Sequence, residues 1–160
     1  MADDQRSPLA DDLYDRDFYL WTQDQADAIR VAASGGLLPA SLDWERLAEE
    51  VGDLGKSELR ECLSRVRKIL IHLWKLQATG REEPQGHWLL EILTQRTDLA
   101  AALSPSLRRL LEEKLEKLHL DAVRLASASF QADEPGALPL DASHRWTLEQ
   151  ILGEENDPIG

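Results

Sequence analysis

The sequence predicts an all-α protein, a single-domain helical bundle of four longer helices with short flanking helices. Three observations lead to this prediction. Apolar residues recur in successive segments at the spacing of about 3.6 positions that an α-helix produces. No segment shows the sustained period-two alternation of a strand, and no internal repeat is visible. Capping residues, glycines and prolines separate the segments.

The chain of 160 residues has about the length of one domain. We assign residues 14–152 to a single helical domain. Residues 1–13, which are rich in aspartate, are predicted to form a mobile acidic tail, and residues 153–160 a C-terminal tail.

The first predicted helix begins near Asp15, which is a competent N-cap, and ends at Ser34 before two glycines. Asp17 then falls in the first turn, where the helix dipole favours an anion. One stripe of this helix is predicted to be buried, and it consists of Phe18, Trp21, Ala28, Ile29 and Ala32.

Asp43 is predicted to cap a second, short helix. Gly52 and Gly55 predict a kink or break in it, before Ser57 opens a long helix that ends near Thr79. On a helical wheel, the buried face of the long helix consists of Leu59, Leu63, Val66, Leu70, Leu73, Trp74 and Gln77.

The next helix is predicted from about His87 to Leu103, and Ser104-Pro105 marks the clearest boundary of the chain. A serine N-cap followed by proline at the first helical position is typical of a helix start. The helix that ends at this boundary has an apolar side, which consists of Trp88, Ile92, Leu99 and Leu103. The helix after the boundary runs to about Phe130, and its stripe consists of Leu107, Leu111, Leu115, Leu118, Ala122 and Leu125. Thr147 and Gln150 fit a capping box for a last short helix, Leu148 to Leu152.

Composition and charge narrow the classes of function. The 30 acidic residues exceed the 18 basic ones, for a net charge of −12, which argues against a nucleic-acid partner and an anionic membrane. The most apolar run, residues 69–74, is far shorter than the ~20 residues that span a bilayer. Cys62 is the single cysteine and the N-terminus resembles no secretion signal, so we expect a cytoplasmic protein.

Several blocks of the chain resemble the bacterial domain-of-unknown-function family 29. These blocks are Leu13-Tyr14-Asp15, Phe18-Tyr19-Leu20-Trp21-Thr22, Leu47-Ala48-Glu49-Glu50-Val51, Leu54-Gly55-Lys56-Ser57-Glu58, Ile71-His72-Leu73-Trp74-Lys75, Ser104-Pro105-Ser106-Leu107 and Trp146-Thr147-Leu148-Glu149-Gln150-Ile151-Leu152. They occur in the family's order and cover roughly residues 13–152. The resemblance implies a small, helical, bacterial protein, and it transfers no catalytic residues.

A polar cluster on the long helix is the first candidate site. Glu61, Arg65, Lys68, His72 and Lys75 fall within about 80° of one another on the wheel. An Arg and a His on one helix resemble the motif of the HEPN ribonucleases, which pair two such motifs over RNA without a metal. Histidine suits proton transfer and arginine suits a phosphorane-like charge, so Arg65 and His72 are the candidate catalytic pair. The alternative is a solvated face in which Glu61 pairs with Arg65.

Two further positions are unusual for their faces. Ile71 lies inside the polar face, so Ile71 and Lys68 are a candidate interaction surface. Arg96 falls within an apolar arc, so Arg96, with Lys75, is a candidate polar or anion-binding site. A buried Arg requires partners, and the candidate partners are Asp121, Glu49, Glu50 and Asp53. The alternatives for Arg96 are a structural ion pair or a side chain that reaches solvent.

Known catalytic motifs are missing from the sequence. The E-x-x-H of Glu116 and His119 lacks the second copy that a di-iron bundle needs, and the wheel places it opposite the apolar stripe. We therefore expect no cofactor and no metal. The sequence favours a non-enzymatic helical interaction module that binds an unidentified protein or itself. The alternative is a metal-independent ribonuclease that uses Arg65 and His72 at a dimer interface.

Overall fold

The computed structural model describes residues 8–36, 38–79, 85–133 and 140–160. Across these ranges the chain forms six α-helices and no strand, which confirms the predicted fold class. The helices are α1 (Pro8–Arg16), α2 (Phe18–Ser34), α3 (Trp44–Ala78), α4 (Gln85–Ala102), α5 (Pro105–Asp133) and α6 (Leu148–Leu152).

The described residues fall into two compact units. The first unit contains the chain up to Arg60 together with Ser104–Arg108, and the second contains Glu61–Leu103 and Arg109–Gly160. The long helix α3 supplies residues to both units. The assignment of a single domain to residues 14–152 remains a prediction.

The start of the first unit differs from our prediction. Residues 8–16 form α1, which begins inside the segment 1–13 that we expected to be a tail, and residues 1–7 lie outside the described residues. The N-cap of α2 is Asp17, whose carboxylate accepts a hydrogen bond from the backbone N–H of Leu20 at 3.0 Å. The predicted N-cap Asp15 was wrong because α1 continues through it to Arg16.

The same carboxylate of Asp17 also holds the start of α5, within the first unit. It accepts a hydrogen bond from the backbone N–H of Ser106 at 2.9 Å and from the hydroxyl of Ser104 at 3.1 Å. Burial opposes the charge on Asp17, but the backbone hydrogen bonds from Leu20 and Ser106 outweigh it and lower the pKa of this carboxyl. The hydroxyl of Ser104 accepts from Leu107 N at 3.3 Å, which confirms Ser104 as the N-cap of α5.

Helix α3 is continuous from Trp44 to Ala78, so the predicted break at Gly52 and Gly55 was wrong. The physical reason is close packing in the first unit. A Cβ atom at Gly55 would lie 2.1 Å from the Oγ1 atom of Thr22 and 3.3 Å from a ring carbon of Tyr19. Gly55 therefore allows α2 to approach the α3 backbone closely. A glycine destabilises a helix, and the packing of α2 against α3 offsets this loss.

The core of the second unit follows most of the predicted stripes. Fully buried side chains contributed by α3, α4, α5 and α6 are Val66, Ile69, Leu70, Trp74, Ile92, Leu99, Leu111, Ala122, Ala126 and Ile151. Two predicted core residues were wrong, because Gln77 and Leu125 are exposed. In α5, the buried stripe continues from Ala122 to Ala126, four positions on, and not to Leu125 as the wheel predicted.

The C-terminal part of the chain is anchored in the second unit. Thr147 and Gln150 form the predicted capping box at the start of α6, with both reciprocal hydrogen bonds present. Residues 153–160 belong to the described chain, and Asp157 in this segment forms an ion pair with Arg96. The segment that we predicted as a tail is therefore held by at least one partly buried ion pair.

Candidate functional site

Arg65, the candidate catalytic cation, is engaged by side chains of the second unit. Its guanidinium donates to Glu61 at 2.6 Å and to Gln95 at 3.2 Å, and it forms a short ion pair with Asp98. The hydrogen bond to Glu61 and the charge of Asp98 raise the pKa of Arg65. This geometry matches the structural alternative, the i,i+4 pair of Glu61 and Arg65, and adds a link to α4.

His72, the candidate general base, is half-buried beside other basic groups. Its Nδ1 atom is buried and has no hydrogen-bond partner among the described residues. Burial lowers the pKa of His72, the positive charge of Lys75 lowers it further, and His87 and Lys68 add smaller effects. The carboxylate of Glu91 acts in the opposite direction. A neutral imidazole is therefore the stable form near neutral pH.

The geometry does not bring Arg65 to His72. Arg65 lies two helical turns away along α3, about 10 Å at 1.5 Å per residue, and two carboxylates occupy its guanidinium. The phosphate-stabilising role that the ribonuclease hypothesis gives Arg65 requires those ion pairs to break. The hypothesis remains an untested prediction.

The remaining residues of the α3 cluster have separate environments. Lys75 places its Nζ atom 5.6 Å from the ring centroid of Trp88, a cation–π arrangement. Lys68 is exposed, whereas Ile71 is half-buried. Ile71 thus offers less apolar surface than the wheel suggested, and the interaction surface predicted at Ile71 and Lys68 is small.

Arg96 is buried, with 8% of its surface exposed, and its partners are not those we predicted. Its guanidinium makes a two-pronged ion pair with Asp157, with both N···O distances 2.9 Å. It also donates to the carbonyl oxygens of Ile151 at 2.8 Å and Gln150 at 3.1 Å. Asp121 instead pairs with the neighbouring Arg124. Arg96 therefore caps the C-terminus of α6, and this geometry matches the structural ion pair rather than an anion site.

Gly153 completes the arrangement around Arg96. Its backbone is left-handed, with φ 76°, as is usual for the residue after a helix. A Cβ atom at this position would lie 2.8 Å from Nη1 and 2.9 Å from Cζ of Arg96. Glycine is therefore required both by the backbone conformation and by the guanidinium that packs against it.

The second histidine of interest, His119, is 1% exposed, so its predicted position opposite the apolar stripe was wrong, whereas Glu116 is exposed as predicted. Its Nε2 atom lies 2.9 Å from the carbonyl oxygen of Trp146, and its ring stacks on that indole. Glu116 pairs with Arg145 at 2.9 Å instead of facing His119. Within the described residues, no cluster of three or more His, Cys, Asp or Glu side chains could hold a metal ion.

The feature that the sequence did not single out is the outer face of α4. It consists of Gly86, Leu90, Leu93, Thr94, Thr97, Ala100 and Ala101, all of them exposed. Leu90 is 63% exposed and Leu93 is 52% exposed. None of the members carries a charge, although 30% of the whole sequence is charged. We call this set the outer face of α4.

The two threonines of this face do not present hydroxyl donors to solvent. Thr94 donates its hydroxyl to the carbonyl oxygen of Leu90 at 2.9 Å, and Thr97 does the same to Leu93 at 2.9 Å. Such back-bonding turns the hydroxyl towards the helix backbone and leaves the methyl group outside. The signal was present in the sequence, because α4 has apolar residues on both of its sides.

The fold and these contacts define a small all-helical protein in which the buried Arg96 is paired with Asp157 and α4 carries an exposed face without charge. The chain belongs to the family described as Domain of unknown function DUF29, whose model matches residues 13–156. A solved structure from Rhodospirillum rubrum ATCC 11170, described as an alpha-helical protein of unknown function, is similar to this chain. The two share 26% sequence identity with a TM-score of 0.79, over 91% of this chain and 92% of that one.

No curated protein matches the chain. None of the helices in the described ranges is both long and apolar enough to cross a membrane.

Proposed function

We propose that this chain is a non-enzymatic protein-interaction module of a bacterial cytosol and that it docks its partner through the outer face of α4. The single observation that carries the proposal is the composition of that face. Exposed leucines on a helix normally lie among charged residues, whereas the other members of this face are a glycine, two threonines and two alanines. A contiguous exposed apolar surface is a recognised mark of a protein-interaction site.

The hydrogen bonds of the face support docking. The hydroxyl groups of Thr94 and Thr97 already donate to backbone carbonyl oxygens. A partner that covers them therefore leaves neither donor without a hydrogen bond. The cost of burying a polar group is therefore largely avoided. Leu90 and Leu93 supply the apolar area that association can bury.

Leu120 on α5 provides a matched control, since it is 56% exposed. Three of its four neighbours on the helix surface, Glu116, Lys117 and Arg124, are charged, and the fourth, Val123, is half-buried. Exposure of one leucine among charges is ordinary, so this position lacks the property on which the proposal rests.

Site-specific photo-crosslinking in the source cell tests the proposal. A photoreactive side chain is placed at Leu93, at Leu120, or at Ile71 in three separate variants. We expect discrete crosslinked species with the Leu93 variant and none above background with the Leu120 variant. Equal crosslinking at Leu93 and Leu120, or no crosslinking at Leu93, would overturn the proposal. Crosslinking at Ile71 alone would move the docking surface to α3.

The cytosolic setting belongs to the same proposal. Its support is that the sequence contains one cysteine, Cys62, and therefore no internal disulfide of the kind that stabilises many secreted domains. Fractionation of the source cell tests this part, and recovery in a membrane or secreted fraction would contradict it.

A further inference from the structure

Basic side chains gather where the C-terminal half of α3 lies beside the start of α4. Lys68, His72 and Lys75 are four and three positions apart on α3, so they lie along one face of that helix. His87 and Glu91 of α4 lie close enough to His72 for their charges to act on its imidazole. All five residues belong to the second unit, and we call them the His72 cluster.

The lysines of the His72 cluster lack the counter-ions that other cations of the second unit have. Arg65 and Arg96 are each engaged by a carboxylate. Lys68 and Lys75, by contrast, form no ion pair with any described residue. Two lysines and two histidines therefore stand against the carboxylate of Glu91. The cluster is positive, although the chain as a whole carries a net charge of −12.

Two members of the cluster are held in place rather than free in solvent. The Nζ atom of Lys75 lies 5.6 Å from the ring centroid of Trp88, which is buried, so the ammonium rests on a fixed aromatic ring. His72 is half-buried, and its Nδ1 atom has no hydrogen-bond partner in the part of the chain that the structure describes. The fold thus holds an imidazole beside an ammonium without supplying either with an anionic partner.

We propose that the His72 cluster binds a small phosphate dianion, either inorganic phosphate or the terminal phosphate of a monoester. Lys68 and Lys75 supply the opposite charge, and the imidazoles of His72 and His87 supply N–H donors. The site uses no residue of the outer face of α4. It therefore goes beyond the proposed docking function and does not depend on it.

Anion binding and protonation of His72 reinforce one another at this site. Burial lowers the pKa of His72, and Lys75, His87 and Lys68 lower it further, against the opposing effect of Glu91. A dianion beside the ring supplies negative charge and raises that pKa. Between the pKa of the free state and the higher pKa of the bound state, binding therefore brings a proton onto His72, and affinity rises as pH falls through this range.

Titration of the purified chain with sulfate, inorganic phosphate and phenyl phosphate tests the site. Isothermal titration calorimetry at low ionic strength measures the dissociation constants, because salt screens the interaction. Sulfate remains a dianion across the pH range, so its binding reports the titration of the protein alone. We expect saturable binding with a dissociation constant of about 1–10 mM, as suits a few partly exposed charges.

Charge variants distinguish the site from the general electrostatics of the chain. Lys75→Gln should raise the dissociation constant for sulfate by about fivefold or more, because it removes a cation of the cluster. The control Lys117→Gln makes the same change in net charge at an exposed position of α5 and should alter it by less than about twofold. Glu91→Gln should lower the dissociation constant by about threefold, since it removes the opposing carboxylate. A misfolded variant would not give such a gain.

Nuclear magnetic resonance of the histidine rings follows the proton. The pKa of His72 should rise by about one unit at saturating sulfate, whereas that of His144, which is not a member of the cluster, should stay unchanged. Sulfate binding that does not saturate, or equal weakening by Lys75→Gln and Lys117→Gln, would overturn the site. An unchanged pKa of His72 would remove His72 from it and overturn the coupling. Tighter binding of phenyl phosphate than of inorganic phosphate would support a phosphate monoester as the ligand, and the reverse would support the inorganic ion.

Discussion

The two faces of α4 reverse the usual distribution of polar and apolar residues. The inner face contains a charged residue, Arg96, and an amide, Gln95, and both are buried. The outer face contains Leu90 and Leu93, and both are exposed. The comparison shows that the hydropathy of a side chain does not by itself decide whether it is buried. The presence of hydrogen-bonding groups or of a covering element within the fold decides it as well. Arg96 is buried because four hydrogen bonds hold its guanidinium, and the leucines are exposed because no described element of the second unit covers them.

The largest expected effect is on the inner face, at Arg96. The substitution Arg96→Met removes the guanidinium and leaves the Asp157 carboxylate and two carbonyl oxygens without their donor. Loss of one partner of a buried pair costs about 3–5 kcal/mol. We expect the free energy of unfolding, measured by urea denaturation, to fall by this amount. The control Arg124→Met, at an exposed ion pair, should change it by less than about 1 kcal/mol. Equal effects would show that Arg96 is not held as described.

The same substitution, glycine to alanine, can be made next to each face of α4. Gly153 packs against Arg96 on the inner face, and Gly86 belongs to the outer face. Gly153→Ala places a methyl group against the guanidinium of Arg96 and forces a left-handed backbone on a residue with a side chain. We expect a loss of about 2–3 kcal/mol in the free energy of unfolding. Gly86→Ala, on the outer face of α4, meets nothing within 4 Å and should stabilise the helix by up to about 1 kcal/mol. Stabilisation by both substitutions would contradict the close contact at Arg96.

The buried His119 predicts that the free energy of unfolding depends on pH. Burial lowers the pKa of His119, and a hydrogen bond to Trp146 only partly offsets it. Above the unfolded value of about 6.5 both states are neutral, and the full stability is present. As pH falls below that value, the unfolded chain binds a proton that the folded chain resists, so stability is lost towards the folded pKa.

The measurement for His119 is urea denaturation at pH 7.5 and at pH 5.5. His119→Gln keeps an N–H donor for the carbonyl of Trp146 and removes the titration, so it should reduce the difference between the two pH values. His72→Gln serves as the matched variant at the other histidine whose pKa is lowered by burial. An unchanged difference in both variants would assign the pH dependence to other groups.

The smallest effect on folding is expected on the outer face. Leu90→Gln and Leu93→Gln replace exposed side chains, and surface substitutions of this kind change the free energy of unfolding by no more than about 0.5 kcal/mol. The measurement is urea denaturation at low protein concentration, where association does not contribute. A loss above about 2 kcal/mol would show that the leucines pack within their own chain and do not form a docking surface.

The features that could be predicted from the sequence are those set by residues close to one another along the chain. The N-cap at Ser104, the capping box of Thr147 with Gln150 and the helical stripes of the second unit are all set within one or two turns. Continuity of α3 through Gly55 was missed because it depends on Thr22 in another helix. The partner of Arg96 was missed because Asp157 lies 61 positions away in a segment predicted to be a tail.

The candidate site was less accessible to sequence reasoning than the fold. The wheel placed Arg65 and His72 together, but it could not show that Asp98 and Gln95 of α4 would engage the guanidinium. The outer face of α4 escaped notice because a search for polar and charged motifs ignores a surface that lacks them. Its signal was the pair Leu90 and Leu93 outside the predicted apolar arc.

Hydroxyl-radical footprinting with mass spectrometry tests the docking surface most directly. The modification rates of Leu90 and Leu93 are compared with that of Leu120, once in dilute purified protein and once in the concentrated lysate of the source cell. We expect all three leucines to be modified in dilute protein, and Leu90 and Leu93 to be protected severalfold in the lysate while Leu120 stays reactive. Equal modification of the three leucines under both conditions would contradict a docking role for the outer face of α4.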